Sequence, residues 1–533
     1  MKKLLLLPFI FFSVVLFSQE KPKLVVGIIV DQMRQEYLYR FQDKYGEDGF
    51  KRLMTQGYNF KNAHYNYVPT YTAPGHASVY TGTTPAYHGI IGNDWYDKTQ
   101  GKEIYCASDE SVETVGSDSH RGKMSPRNML TTTISDQLIL SSQKRSKVIG
   151  ISIKDRGAIF PAGHMGEAYW HDKSTGDFIT STYYRESLPK WVSDFNKKKR
   201  PDYYLSQKWE PVGNLENYIE SGKDNVVFEA PLNKDTPDFP YHLEKGDYWM
   251  VTDTPFGNDL LTELALSALE NADLGTDNDT DLLAVSYSST DYIGHRFGPN
   301  SKEVQDTYMR LDKNIAELLK ALDEQLGKDN YLVFLTADHA IAEVPSYLVE
   351  NNVPAGNFEV SQIEGLNAEI SARFGDGKWI ENITNHQVFI NHQTLKEKKI
   401  DLKVMQEFVA QTVLKYSGVS SAYPAHVIAA IDFSGGGVTG MLVRGYNQKR
   451  SGDVLITLEP GWIIRRKTGS THGSAYTYDA HVPLLWYGAG IHKGTSFEYK
   501  TITQIAPTLS MMLDVMLPNG ATGQPLVELF NNN

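Results

Sequence analysis

The stretch Leu24-Val25-Val26-Gly27-Ile28-Ile29-Val30-Asp31 decides the fold. Seven apolar residues follow one another without alternation and stop at a carboxylate. A strand with one wet face alternates polar and apolar side chains, so an unbroken apolar run reads as a strand buried on both faces. Outward from it, the same signature returns at residues 148–153, 282–285, 331–337 and 482–487. Helical spacing fills the gaps between them. In 301–326 the residues Val304, Tyr308, Leu311, Ile315, Leu318, Leu319 and Leu322 form one stripe, with Asn300 or Ser301 to cap its start and Gly327 to end it. Near the C-terminus Leu509, Met512, Leu513 and Met516 repeat at helical spacing, with Pro507 in the first turn. Strands alternating with helices place the chain in the α/β class, with a central, mostly parallel sheet sandwiched by helices.

The chain has 533 residues, 41% hydrophobic and 22% charged, the proportions of a globular protein. With 52 basic against 64 acidic residues the net charge is −12, which offers no bulk attraction for a nucleic-acid backbone or an anionic membrane. The single cysteine, Cys106, can form neither an intramolecular disulfide nor a cysteine-rich metal site. Any bound metal must therefore sit on Asp, Glu and His. Lys2 and Lys3 precede an apolar run over 4–17 that is too short to span a bilayer comfortably, and polar sequence follows Ser18. Residues 1–18 read as a cleaved signal peptide. Cleavage leaves 19–533 at net −14, periplasmic or secreted, with no lipid-accepting cysteine and no membrane-inserted segment. Two stretches interrupt the alternation and are expected to be insertions that wall a site: about 157–280, rich in Trp and Tyr, and about 345–470, with a glycine turn at Gly435 to Gly437.

The chemistry collects where apolar strands end. Three runs lead to carboxylates, at Asp31, Asp291 and Asp338, and in open α/β sheets ligands bind beyond the carboxyl ends of the strands. His339 follows Asp338 directly. Asp291 and His295 stand four apart, on one side of a helical turn, so carboxylate and imidazole are offered together as divalent-metal ligands. His472, in Gly-Ser-Thr-His-Gly-Ser, is a further candidate. Thr72, in Tyr-Thr-Ala-Pro-Gly-His, suits a helix N-cap and equally suits a nucleophile, because the free N–H groups of a helix start favour an alkoxide and a neighbouring phosphate. Lys154 and Arg156 face the same way if the backbone stays extended beyond 148–153, and both can then meet one anion. Asn93 adds an amide donor.

Taken in this order, these residues resemble the alkaline phosphatase superfamily of two-metal hydrolases, and within it the exported bacterial phosphate-irrepressible alkaline phosphatases. The resemblance spans nearly the whole chain after residue 18. It implies two zinc ions, one held by Asp291, His295 and His472 and the other by Asp31, Asp338 and His339 with Thr72 completing the site. It also implies that Thr72 is the nucleophile, forming a phosphothreonine, and that Asn93, Lys154 and Arg156 bind the phosphate oxygens. His76, His88 and His481 match no ligand position and are assigned structural roles. Two divalent ions balance three aspartates and an ionised threonine, so the two cations Lys154 and Arg156 match a monoester dianion better than a diester monoanion. The expected activity is hydrolysis of small phosphate monoesters to alcohol and inorganic phosphate by a monomeric enzyme, with a nucleotide pyrophosphatase or phosphodiesterase on the same core as the alternative. A sulfatase is disfavoured, because the nucleophile segment lacks the Cys-x-Pro-x-Arg pattern.

Overall fold

The structure is a computed structural model that describes residues 21–358, 365–464 and 468–530. The signal-peptide reading of residues 1–18 lies outside the described residues. Ten strands form the main sheet: β1 (Leu24–Val30), β2 (Tyr58–Phe60), β3 (Thr114–Val115), β4 (Val148–Ser152), β5 (Glu167–His171), β6 (Phe178–Ser181), β7 (Asp281–Tyr287), β8 (Tyr331–Thr336), β9 (Leu484–Gly488) and β10 (Gly494–Ser496). Their spatial order is β10-β2-β9-β8-β1-β7-β4-β5-β6-β3. The central five, from β8 to β5, run parallel. On one side β9 pairs antiparallel with β8, and on the other β6 pairs antiparallel with β5. The run at 482–487 is therefore a strand that opposes the parallel set, and Val482 leaves it for a small sheet with Ala63.

Every residue of β1, β7 and β8 is buried, as unbroken apolar runs require when helices cover both faces. The cover includes α1 (Thr72–Thr81), α2 (Asp155–Ala162), α3 (Phe256–Asn271), α4 (Ser289–Phe297), α5 (Lys302–Gln325) and α6 (Ile505–Leu513). Helix α1 packs on α2, and α3 on α5. Ser301 caps α5 by accepting from the Val304 N–H, and Gly327 follows its end with φ +81°. Helix α6 stops at Leu513, so Met516 lies beyond it and is 77% exposed instead of extending the apolar stripe.

The two interruptions differ in kind. Residues 157–280 are not one insertion, because they supply β5, β6 and α3 to the main layers; about 182–255 adds no strand to the main sheet but buries Trp191, Phe195, Trp209 and Tyr241 in the same core. Residues 380–458 contain a separate antiparallel sheet ordered Ile380–Thr384, Gln387–Ile390, Val454–Leu458, Val419–Pro424. The helix Leu402–Val413 packs on that sheet, and Trp379, Val388, Met405, Val409, Val413 and Val454 form an apolar cluster of their own.

Gly27, mid-strand in β1, leaves room for Tyr80 of α1 and Phe334 of β8 to close over the sheet. A β-carbon there would stand 2.3 Å from Tyr80 Oη and 2.6 Å from Phe334 Cζ. Overpacking of this kind costs about 1–3 kcal/mol, so Gly27→Ala should lower the urea midpoint of unfolding by that equivalent without altering secondary-structure content.

Candidate active site

The register of the parallel strands sets the site. Val30 lies beside Tyr287, Ile29 beside Thr336, and Ser286 beside Ser152, so β1, β4, β7 and β8 end level with one another. The next residues of each chain segment meet at that edge. Asp31 follows β1 directly, Asp338 and His339 follow β8, and Lys154 follows β4. Helix α4 begins just past β7 and carries Asp291 in its first turn and His295 one turn on. Helix α1 starts at Thr72 and comes close because Gly75 has no side chain: a β-carbon there would lie 2.2 Å from the Asp338 carbonyl oxygen. His472 arrives from a loop far along the chain.

The three candidate histidine ligands are held alike. His295 Nδ1 donates to the Ser470 carbonyl at 2.8 Å, His339 Nδ1 to the Ala340 carbonyl at 2.9 Å, and His472 Nδ1 to the Thr70 carbonyl at 2.7 Å. A carbonyl can only accept, so Nδ1 carries the proton and Nε2 is turned to the cluster. His295 Nε2 stands 3.1 Å and His472 Nε2 3.6 Å from Asp291 Oδ1, while His339 Nε2 is 3.4 Å from Asp31 Oδ1 and 3.5 Å from Asp338 Oδ2. Burial, then the neighbouring His295, pushes His472 down to about 3; burial, then His472, holds His339 well below the usual histidine range. The His339 and His472 rings, stacked with centroids 3.5 Å apart, therefore offer Nε2 lone pairs.

Around them stand three buried carboxylates, two of which share one lysine. Lys154 Nζ lies 2.7 Å from Asp31 Oδ2 and 2.5 Å from Asp291 Oδ2. Burial opposes ionisation of Asp291, but His295 and Lys154 hold its carboxyl well below the usual range. Asp31 is pushed up to about 6 by burial against the pull of Lys154, and Asp338 well above its usual value by burial and the charge of Asp31. Asp31 Oδ1 and Asp338 Oδ2 are buried and accept no hydrogen bond. Among the described residues two groups offer ligand atoms within 4.8 Å of one another: Asp291 with His295 and His472, and Asp31 with Asp291 and His339. Lone pairs of imidazole and carboxylate converging in a dry site, with two carboxyls that cannot ionise cheaply, fit divalent cations.

Thr72 is the first residue of α1 and makes no capping bond; Tyr71 occupies the cap position. Its Oγ1 instead points into the cluster, 3.5 Å from His339 Nε2. His76 holds this segment from below, donating through Nδ1 to the Thr72 carbonyl at 2.9 Å and accepting from Ser286 Oγ at 2.8 Å. His88 bonds Ser78, and His481 donates to the Lys61 carbonyl, so neither joins the cluster. Asn93 Oδ1 accepts the Ala73 N–H at 2.9 Å, which places its amide group beside Thr72. The extended geometry expected for Lys154 and Arg156 does not occur, because α2 begins at Asp155. Lys154 turns to the carboxylates. Arg156, in the first turn, donates to Tyr105 Oη at 3.0 Å, and its buried Nε has no partner. Gln32 escaped the sequence reading. With φ +66°, it donates its backbone N–H to Asp338 Oδ1 at 3.1 Å and its side-chain amide to Asp291 Oδ1 at 2.5 Å, tying two of the acids together.

Residues 25–482 match the family described as type I phosphodiesterase / nucleotide pyrophosphatase. The chain belongs to that family. It is 44% identical to alkaline phosphatase PafA of Elizabethkingia meningoseptica, over 96% of this chain and 94% of that one. It is 43% identical to alkaline phosphatase PhoV of Synechococcus elongatus, over 96% and 93%. A protein of Myroides odoratus named calcium-transporting ATPase is 42% identical over 97% of each chain. The crystal structure of PafA superposes with a TM-score of 0.92, covering 96% of this chain and 99% of that one. A second PafA structure carries replacements at a threonine, an asparagine, a lysine and an arginine. The first two are 21 positions apart and the last two are two apart, the spacings of Thr72 to Asn93 and Lys154 to Arg156 here.

Asp291 touches both ligand groups, so its loss should cost more metal than any other single change. In Asp291→Ala, metal analysis of the purified chain should show most of the divalent ion gone, whereas His88→Ala, outside the cluster, should retain it.

Proposed function

We propose that the chain is an exported alkaline phosphatase that hydrolyses phosphate monoesters through a phosphothreonine on Thr72. The observation that carries the reading is the meeting of Thr72 Oγ1 with His339, Asp31, Asp291 and Asp338 at one level edge of a parallel sheet. Two zinc ions suit the donors. Asp291, His295 and His472 would hold one, and Asp31, Asp338 and His339 with Thr72 the other; such ions lower the pKa of a bound hydroxyl or water and offset charge on the phosphoryl group.

The remaining steps belong to the chain. Thr72, at the start of α1, attacks phosphorus in line and the alcohol leaves; water from the opposite side then releases inorganic phosphate and restores the hydroxyl. Arg156, through its unpartnered Nε, and the Asn93 amide bind non-bridging oxygens. Lys154 sets the spacing of Asp31 and Asp291 and adds its charge next to the phosphate. The matching spacings of the four positions replaced in the PafA variant support this set. The similarity to PafA and PhoV supports the activity, and the apolar run at 4–17 supports export.

A diesterase is the second reading, since the matched family is described by that activity. Lys154 and Arg156 favour the monoester, because a dianion uses both positive charges and a diester monoanion leaves one uncompensated. No helix among the described residues is long and apolar enough to cross a membrane.

Thr72→Ala should reduce monoester turnover by at least about a thousandfold while the metal content stays at the parent level; unchanged turnover would rule out Thr72 as nucleophile. With monoester and diester of the same alcohol, the parent should show the higher kcat/KM on the monoester, and the double change Lys154→Ala, Arg156→Ala should narrow that preference. A clear preference of the parent for the diester would sink the monoesterase reading.

A further inference from the structure

A cavity of about 150 Å³ opens beside the candidate nucleophile, on the His472 side of the cluster of acids and imidazoles. Sites for drug-sized molecules run to about 300–1,000 Å³, so this one suits a single ring. One wall comes from the reaction centre: Tyr71, which precedes Thr72, and His472, whose rings meet edge to face at 5.5 Å. The facing wall comes from Asn385 and His386 of the outer antiparallel sheet and from Trp462, which pairs in parallel with Gly356 beside it. Asp479 closes it with a buried Oδ1 that accepts no hydrogen bond.

The facing wall is built for this place. Thr384 pairs with Gln387, so Asn385 and His386 form a two-residue hairpin loop, with φ +51° and +57°. Such turns take Asn readily at the first position and glycine at the second. A histidine at the second position is strained, and strain kept at the mouth of a cavity points to a task for its side chain. The hairpin is anchored on the Gly92 to Asp94 turn: Asn385 Nδ2 donates to the Asp94 carbonyl at 2.5 Å, and a β-carbon on Gly92 would stand 2.6 Å from that nitrogen. Asn93, beside Thr72, is thus next to the hairpin tip. Trp462 is held by Gly356 and Gly418, where β-carbons would fall 2.8 and 2.1 Å from its ring carbons. Burial pushes His386 down to about 4, so its imidazole is neutral at neutral pH.

We infer that this cavity receives the organic group of the ester and favours a planar aromatic one, with Tyr71 and Trp462 as its walls and His386 as its polar contact. The inference rests on the monoesterase reading and adds a preference for aryl over small alkyl phosphates. Phenylphosphonate and methylphosphonate, which cannot be hydrolysed as esters and differ in the organic group alone, test it as competitive inhibitors of the metal-loaded full chain.

The parent should bind the phenyl compound more tightly. The ratio of the methyl to the phenyl inhibition constant should fall about five- to tenfold in Trp462→Ala, the loss expected for an aromatic wall. It should fall by about twofold or more in His386→Gly, where glycine suits the turn and keeps the hairpin folded. A fall in either variant supports the subsite. A ratio unchanged in both, in a parent that hydrolyses monoesters, overturns it; a parent inactive on every monoester overturns the reading beneath it instead.

Discussion

Three carboxylates brought together in a dry space repel one another, and the rest of the structure is arranged around that repulsion. Asp31, Asp291 and Asp338 cannot all be charged against Lys154 alone, as the upward shifts of Asp31 and Asp338 show. The fold keeps them together by covalent continuity with strands that have no freedom to move. β1, β7 and β8 are buried along their whole length and locked in register, so the residues after their last hydrogen bonds must emerge side by side. Gln32 and Lys154 share what attraction is available, and a divalent cation on the same carboxylates would supply the remainder.

The imidazoles are positioned by the same economy of means. Each of the three gives its Nδ1 proton to a backbone carbonyl, which settles the tautomer and the ring angle together. His76 has a different duty. It fastens the carbonyl of Thr72 to Ser286 on β7, so the hydroxyl at the start of α1 and the acid at the start of α4 are referenced to one strand.

Much of this was legible in the sequence because burial on both faces removes alternation, and because a short-range signal marks each strand end. Asp31, Asp338 with His339, and Asp291 with His295 could be found that way. His472 carried no such mark, since a loop residue is brought in by tertiary contacts over hundreds of positions. Gln32 was missed for a related reason: its role comes from a left-handed backbone and from partners at 291 and 338, neither of which a local pattern encodes. The pair Lys154 and Arg156 was found for the wrong reason. Extended geometry would have aligned them, but the strand gives way to α2 at once, and the two cations serve different neighbours. The breadth given to the first insertion failed because β5 and β6 are short, and aromatic side chains at Tyr169, Trp170 and Phe178 look the same in a wall as in a sheet.

The outer antiparallel unit has its own apolar cluster, built on Trp379, Met405 and Val454 and separate from the one beneath the parallel strands. Its hairpin reaches the reaction centre over a span of only two residues. The strands behind that tip belong to a scaffold other than the one that spaces the acids. The hairpin tip is nonetheless anchored on the Gly92 to Asp94 turn, so the two scaffolds meet at a seam beside Thr72.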